Sequence, residues 1–197
     1  VVRKVAREVF IPLCVGGGIR SVDDMRLAMN AGADKVSVCT SALLNPQLLS
    51  DMARAYGSQC VVLSIDAKRV VPGTDPDNTA GLTADTRPPL WHAYSKGGRE
   101  DSGIDAVQWA IQAVERGAGE ILLNSIDADG TGGGYDLELI RAVSTAVPVP
   151  VIASGGAGSL EQIVEALLPP TEADAALLAS MLHFGKTSIH EIKEYAE

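Results

Sequence analysis

Apolar residues recur along this chain in short runs of strand length, at 13–15, 35–39, 60–65, 120–126, 151–153 and 175–178. Runs this short, with little polar alternation, are the pattern of strands covered on both faces. Between them the spacing changes to that of helices. Apolar positions at 1, 2, 5, 6 and 9 describe one face of a helix packed against something. Ser21, with Asp24 three residues later and Gly32 as a stop, brackets a helix over 22–31. Asn45 as N-cap and Pro46 as first helical residue open another that runs to about Tyr56. An amphipathic helix over 104–116 stops at Gly117, and Asp136 caps one reaching about Ala146. Ser159 starts the next, and the last covers 189–196. Residues 70–99 break this rhythm. They contain Pro72, Pro76, Pro88, Pro89 and several glycines, which predicts a long loop with one strand at 90–94.

Two stretches repeat. Residues 11–19 read I-P-L-C-V-G-G-G-I and residues 149–157 read V-P-V-I-A-S-G-G-A. At a similar distance beyond each, 33–40 (A-D-K-V-S-V-C-T) answers to 173–180 (A-D-A-A-L-L-A-S). Each copy is an apolar strand, a glycine turn, a helix, and a strand ending in a hydroxyl residue. Glycine turns at the carboxyl ends of strands let backbone N–H groups cradle a phosphate, so two copies predict two phosphate grips. Between the copies lie two strands that end in acids, Asp66 and Asp127. Short apolar strands alternating with helices predict an α/β fold with a parallel sheet. A four-strand repeat unit places the chain on a (β/α)8 TIM barrel, as strands 3–8 with part of helix 2, in a single partial-barrel domain over 1–197. On this count the first two βα units, roughly 55–70 residues, are expected upstream of Val1, and the sheet has two open edges.

Composition narrows the classes. The chain is 46% hydrophobic and only 4% aromatic, which suits buried parallel strands. Its formal charge of −9 leaves no basic face for nucleic acid or anionic lipid. No apolar run approaches the ~20 residues of a membrane span, and no signal-peptide pattern is present. A cytoplasmic setting is therefore expected. Cys14, Cys39 and Cys60 fall in separate strand-like runs without C-x-x-C spacing, and are expected as reduced core residues. His92, His183 and His190 lack metal-ligand spacing, so no metal or other cofactor is expected. His183 is expected in the core or at a helix start.

More selective stretches carry a resemblance. They are V-G-G-G-I-R at 15–20, G-A-D-K-V-S at 32–37, I-D-A-K-R-V at 65–70, G-A-G-E-I-L-L at 117–123, S-I-D-A-D-G-T at 125–131, G-Y-D at 134–136, A-S-G-G-A-G at 153–158 and H-F at 183–184. Over its whole length the chain resembles the cyclase subunit of imidazole glycerol phosphate synthase, a lyase of histidine biosynthesis. The glycine turns are shared by many phosphate-binding barrels. The D-A-K-R stretch with G-A-G-E-I-L-L and S-I-D-x-D-G-T separates it from the related aldose–ketose isomerase of the same pathway. The resemblance implies that ammonia adds to N′-phosphoribulosyl-formimino-AICAR-phosphate. Cleavage then gives imidazole glycerol phosphate and AICAR-phosphate. The two grips would hold the two ends of this bisphosphate across the barrel mouth.

By position alone, Asp66 reads as a strand-end acid/base, or else as a helix cap or a partner of Lys68 or Arg69. The resemblance makes it one of the family's two catalytic aspartates. The other, its counterpart by the repeat, is expected upstream of Val1, so the chain as given is expected to be inactive alone. Gly18 and Thr40 match the first phosphate grip, and Ser154, Gly156 and Ser180 resemble the second. Asp129 and Gly130 fit substrate contacts at that second site. The plainer readings are turn glycines and strand-end hydroxyls tied to backbone. Asn124 is read as pointing into the mouth, and Asp127 as structural. Cys39 stands where the family commonly has Asn; a thiol is a poor donor, so the first grip leans on Thr40 and backbone amides. Lys35 and Glu120 begin strands at the opposite mouth and would ordinarily be a stabilising ion pair. The resemblance implies a salt-bridged gate for ammonia, delivered by a glutaminase subunit or domain docked there. The Gly97-Gly98-Arg99 turn resembles a lid of the first site, with Arg99 either over phosphate or solvated. Trp91, Trp109, Tyr56 and Tyr94 read as packing residues. Two other functions share these features: the isomerase, and a phosphate-ligand-binding module without chemistry.

Overall fold

A parallel pair of strands needs a crossover, and here helices supply it. The structure, a computed structural model, describes residues 1–70 and 90–196. In chain order the elements are α1 (Val2–Glu8), β1 (Cys14–Gly16), α2 (Val22–Asn30), β2 (Lys35–Val38), α3 (Thr40–Leu44), α4 (Gln47–Tyr56), β3 (Val61–Val70), β4 (Leu90–Ser95), β5 (Glu100–Asp105) and α5 (Ala106–Glu115). There follow β6 (Glu120–Ser125), α6 (Leu137–Ser144), β7 (Val151–Ser154), α7 (Leu160–Leu167), β8 (Ala175–Ala176), α8 (Ser180–His183) and α9 (Ile189–Ala196). Six parallel strands in the order β1-β2-β3-β6-β7-β8 form a curled sheet, a half-barrel of the TIM type. Among the described residues no strand joins β1 to β8.

Alternation sorts the strand side chains between two faces. On β3, Leu63, Ile65 and Ala67 are buried, and on β6 so are Ile121 and Leu123. They meet Met25, Leu49, Met52, Trp109, Leu139 and Ile163 from the covering helices in one contiguous core. Each large side chain removed from water this way contributes about 1.5–3 kcal/mol before entropy is counted. The opposite parity (Ser64, Asp66 and Lys68 on β3; Glu120, Leu122 and Asn124 on β6) is left to the hollow of the curl. With the core on the outer face, the hollow is available for polar groups.

The internal repeat is kept down to single hydrogen bonds. Asp34 accepts from the Leu13 amide at 2.8 Å, and Asp174 accepts from the Val151 amide at 2.8 Å. Ser21 caps α2 through the Asp24 amide, and Ser159 caps α7 through the Gln162 amide as part of a capping box. Thr40 and Ser180 each begin a short helix after the hydroxyl-ending strand.

Several sequence expectations are corrected. The helical face over 1–9 packs on little: no residue of α1 is buried. The cap before α4 falls on Pro46, because Asn45 ends the short helix α3 that the pattern did not predict. Strand 175–178 shortens to two residues. The largest change is around 66–105. β3 continues past Asp66 to Val70, because beyond the last pair with β2, Val38↔Leu63, the antiparallel β4 takes over the same edge, from Asp66↔Tyr94 to Val70↔Leu90. β5 completes a hairpin with β4, so Ile104 and Asp105 belong to a strand and Asp105 caps α5. The proline-rich part of the expected loop, 71–89, lies outside the described residues. The cysteines are free, and only Cys60 rests on the core: Cys14 is exposed on the outer strand, and Cys39 is half-buried away from it.

Candidate functional site

The residue around which the hollow is arranged is Asp66. It sits mid-strand at the level where β2 hands its edge to β4. Its register partner on the other side is Asn124, whose own partner on β7 is Ser154. Equal register puts the three side chains in one row, and the row is bonded. The Asn124 amide donates to Asp66 Oδ1 at 3.2 Å, and Ser154 Oγ donates to Asn124 Oδ1 at 3.1 Å. The other carboxylate oxygen, Oδ2, faces the Cys39 thiol at 3.8 Å. Burial, and then the Asp66 charge, push that thiol up to about 11, so at neutral pH it is a neutral, weak donor. Among the described residues, Asp66 is thus fixed through one oxygen, while the other meets only a weak donor. That is an arrangement suited to proton exchange.

On one side of this row lies a cavity of about 780 Å³ at the carboxyl ends of β1 and β2. The glycine turn provides Gly17 and Gly18 at positive φ, 87° and 79°, where a side chain would be strained. A Cβ at either position would have no neighbour within 4 Å, so the space above them is open. Thr40, Ser41, Ser37 and Ser64 line the same space. The corner is tied together by Ser41 Oγ, which donates to the Ile19 carbonyl at 2.7 Å. Thr40 Oγ1 accepts from the Lys96 amide at 2.8 Å. The turn cation that lines the cavity is Lys96 rather than Arg99. Sequence reasoning missed it; a K-G-G step after a strand was the available signal, and the hairpin geometry that aims it was not.

On the other side the second glycine turn is built differently. A Cβ on Gly156 would stand 2.0 Å from the Gly134 carbonyl, and one on Gly158 would stand 2.1 Å from that of Gly132. Gly134 also donates its amide to the Gly156 carbonyl at 2.8 Å. These glycines are therefore required by close packing of the loop after β6 on the turn after β7. Tyr135 locks that loop, donating to the Leu177 carbonyl at 3.1 Å, and burial pushes its phenol up to about 12. Asp129 and Gly130 on the loop after β6, and Ser180 at the start of α8, are exposed at this same end of the sheet. Asp127 lies in the turn beyond Ser125, not at a strand end, and its carboxylate accepts from the Arg69 amide at 2.8 Å.

At the opposite ends of the strands, Lys35 and Glu120 form an ion pair across the hollow face of β3, with side chains 34% and 14% exposed. The aromatics mostly pack: Trp91 and Trp109 are buried, and Tyr56 rests on the core. His92 is buried against Asp101 at 3.1 Å. His183 is exposed at the end of α8, edge-on to Phe184, and not at a helix start or in the core.

No helix among the described residues is long and apolar enough to cross a membrane, and no described cluster of His, Cys, Asp or Glu has the makings of a metal site. The family model described as histidine biosynthesis protein matches residues 1–188.

Proposed function

Because the chain belongs to the histidine biosynthesis protein family, whose enzymes include an isomerase and a cyclase on TIM barrels, we propose that it carries out the cyclase reaction. In this reading it is the ammonia-using lyase of imidazole glycerol phosphate synthase. N′-phosphoribulosyl-formimino-AICAR-phosphate and ammonia give imidazole glycerol phosphate and AICAR-phosphate. The observation that carries the reading is the bonded row Asp66–Asn124–Ser154 lying between two glycine-turn corners. A substrate with a phosphate at each end can lie across that row. Gly18 and Thr40 take one phosphate, and Ser154, Gly156, Ser180, Asp129 and Gly130 surround the other. The reacting centre is then brought to the Asp66 carboxylate. Asp66 moves protons during ring closure through Oδ2, the oxygen that Asn124 does not hold. By the repeat, its partner acid would be the counterpart of Asp66 on a strand that is not among the described residues, beside the edges of β1 and β8 that no described strand pairs. Ammonia arrives from the far mouth past Lys35 and Glu120, from a glutaminase docked on that face.

The test is product identity. The barrel with both edges paired, given the bisphosphate and ammonium, is expected to release imidazole glycerol phosphate in strict dependence on ammonium. Ketose formed from the aminoaldose precursor without ammonium would select the isomerase. Binding of the bisphosphate with no turnover would select a module without chemistry.

A further inference from the structure

The cavity over Gly17 and Gly18 differs in charge from the rest of the molecule. The chain carries a net −9, yet among its described lining residues are two cations, Arg20 and Lys96, and no carboxylate. Lys96 belongs to a different part of the chain, the turn joining β4 to β5, and three features hold it there. Its amide donates to Thr40 Oγ1 at 2.8 Å, which leaves the Thr40 hydroxyl proton to point elsewhere. Its backbone sits at φ 55°, the left-handed conformation that the tight β4–β5 turn imposes on it. Its ammonium rests on Glu100 Oε1 at 2.7 Å, with the two side chains 60% and 55% exposed. An exposed pair of this kind is weak and readily exchanged.

We propose that Lys96 is a second jaw of the phosphate corner. When the substrate's phosphate settles on the Gly17–Gly18 turn and Thr40, the Lys96 ammonium leaves Glu100 and closes on it opposite Arg20. Glu100 is the internal anion that holds the jaw open. The Lys96–Thr40 bond makes the hairpin turn a sensor of the corner, because the residue that closes on the ligand also orients the hydroxyl that binds it. The proposal rests on the reading of this corner as a phosphate site and adds to it a residue from the hairpin, with a built-in competitor.

Titration of the chain with inorganic phosphate, by calorimetry and by amide chemical shifts, tests it. Phosphate is expected to shift the amides of Gly17, Gly18, Thr40 and Lys96. Lys96→Met should weaken Kd roughly five- to tenfold, the worth of one charge-assisted contact less the exposed pairing with Glu100 that it displaces. Glu100→Gln should tighten it about threefold, the modest gain from removing an exposed competing anion, and should have no effect in the Lys96→Met background. Lys96→Gly keeps the amide that bonds Thr40 and suits a positive φ. It should weaken binding as much as Lys96→Met does, separating lost charge from a lost turn. Shifts at Gly17, Gly18 and Thr40 with Lys96 and Glu100 variants that bind like the wild type would overturn the jaw and leave the phosphate corner standing. No shift at Gly17, Gly18 and Thr40 would remove the corner, and the jaw with it.

Discussion

Two effects oppose ionisation of Cys39: burial of its thiol comes first, and the Asp66 carboxylate 3.8 Å away comes second. Both disfavour the thiolate, so the folded value rises from 9.0 to about 11. An acid whose neutral form is favoured by folding costs stability once the unfolded chain begins to ionise. The penalty therefore grows as pH rises above 9.0 toward about 11 and is absent below. Alkylation of Cys39 by iodoacetamide, followed by mass spectrometry across pH, should show an apparent midpoint near 11. A midpoint at or below 9.0 would show that the thiol does not sit against Asp66 as described. At this scale the position of Asp66 was legible: a lone aspartate in a buried apolar run is costly unless it is used or paired. Its partners were not, since Asn124 and Ser154 reach it only through strand register, which a run of apolar residues leaves open. Gly156 shows the other limit. In sequence it looks like Gly18, yet one is open and the other is pressed on a carbonyl.

Among the elements, the β4–β5 hairpin decides most about the site, because it extends β3 past Asp66 and brings Lys96 to the cavity. It is fastened on its far side by Arg69. That guanidinium stacks 4.7 Å over the Trp91 ring and pairs with Asp136 at 3.1 Å and Glu138 at 2.8 Å. Trp91 Nε1 also donates to Asp136, which caps α6. Burial works against the charge on Arg69, but the bonds to Glu138 and Asp136 outweigh it and raise its pKa. Removing one partner of so partly buried a pair falls between the cost for an exposed pair and that for a buried one. Arg69→Met is therefore expected to cost about 2 kcal/mol in urea unfolding and to speed amide exchange over 90–105. A change below about 0.5 kcal/mol, the level of an ordinary surface substitution, would show that the hairpin is held by strand pairing alone. The hairpin was only half legible. Strand 90–94 is mostly apolar and aromatic and can be read, but E-D-S-G-I-D at 100–105 is polar and carries a glycine. It becomes a strand because β4 offers it an edge, a tertiary effect that overrides propensity. The crossover helices were legible nearly to the residue, since their caps Ser21, Asp136 and Ser159 act within one turn.

For the molecule as a whole, the repeat was the most informative feature in the sequence, and it survives as matched bonds, Asp34 to Leu13 and Asp174 to Val151. It places two glycine turns at one end of a half-barrel, with the Asp66 row between them. Sequence alone could not reveal that the two turns differ, one open above its glycines and one filled by the loop at 130–134, because that depends on how the loop folds back. Exposed Phe10 and Ile11 flank β1, and exposed Leu177 and Phe184 follow β8, beside edges that no described strand pairs. The central claim is that the row between the corners does chemistry on a substrate stretched across it. The most direct measurement is steady-state turnover of the bisphosphate with ammonium by Asp66→Asn, in the barrel with both edges paired. Loss of the proton-transferring group predicts a fall in kcat of roughly 10²–10⁴-fold with KM little changed, because both phosphate corners remain. Near-native kcat, or a loss confined to KM, would contradict the account.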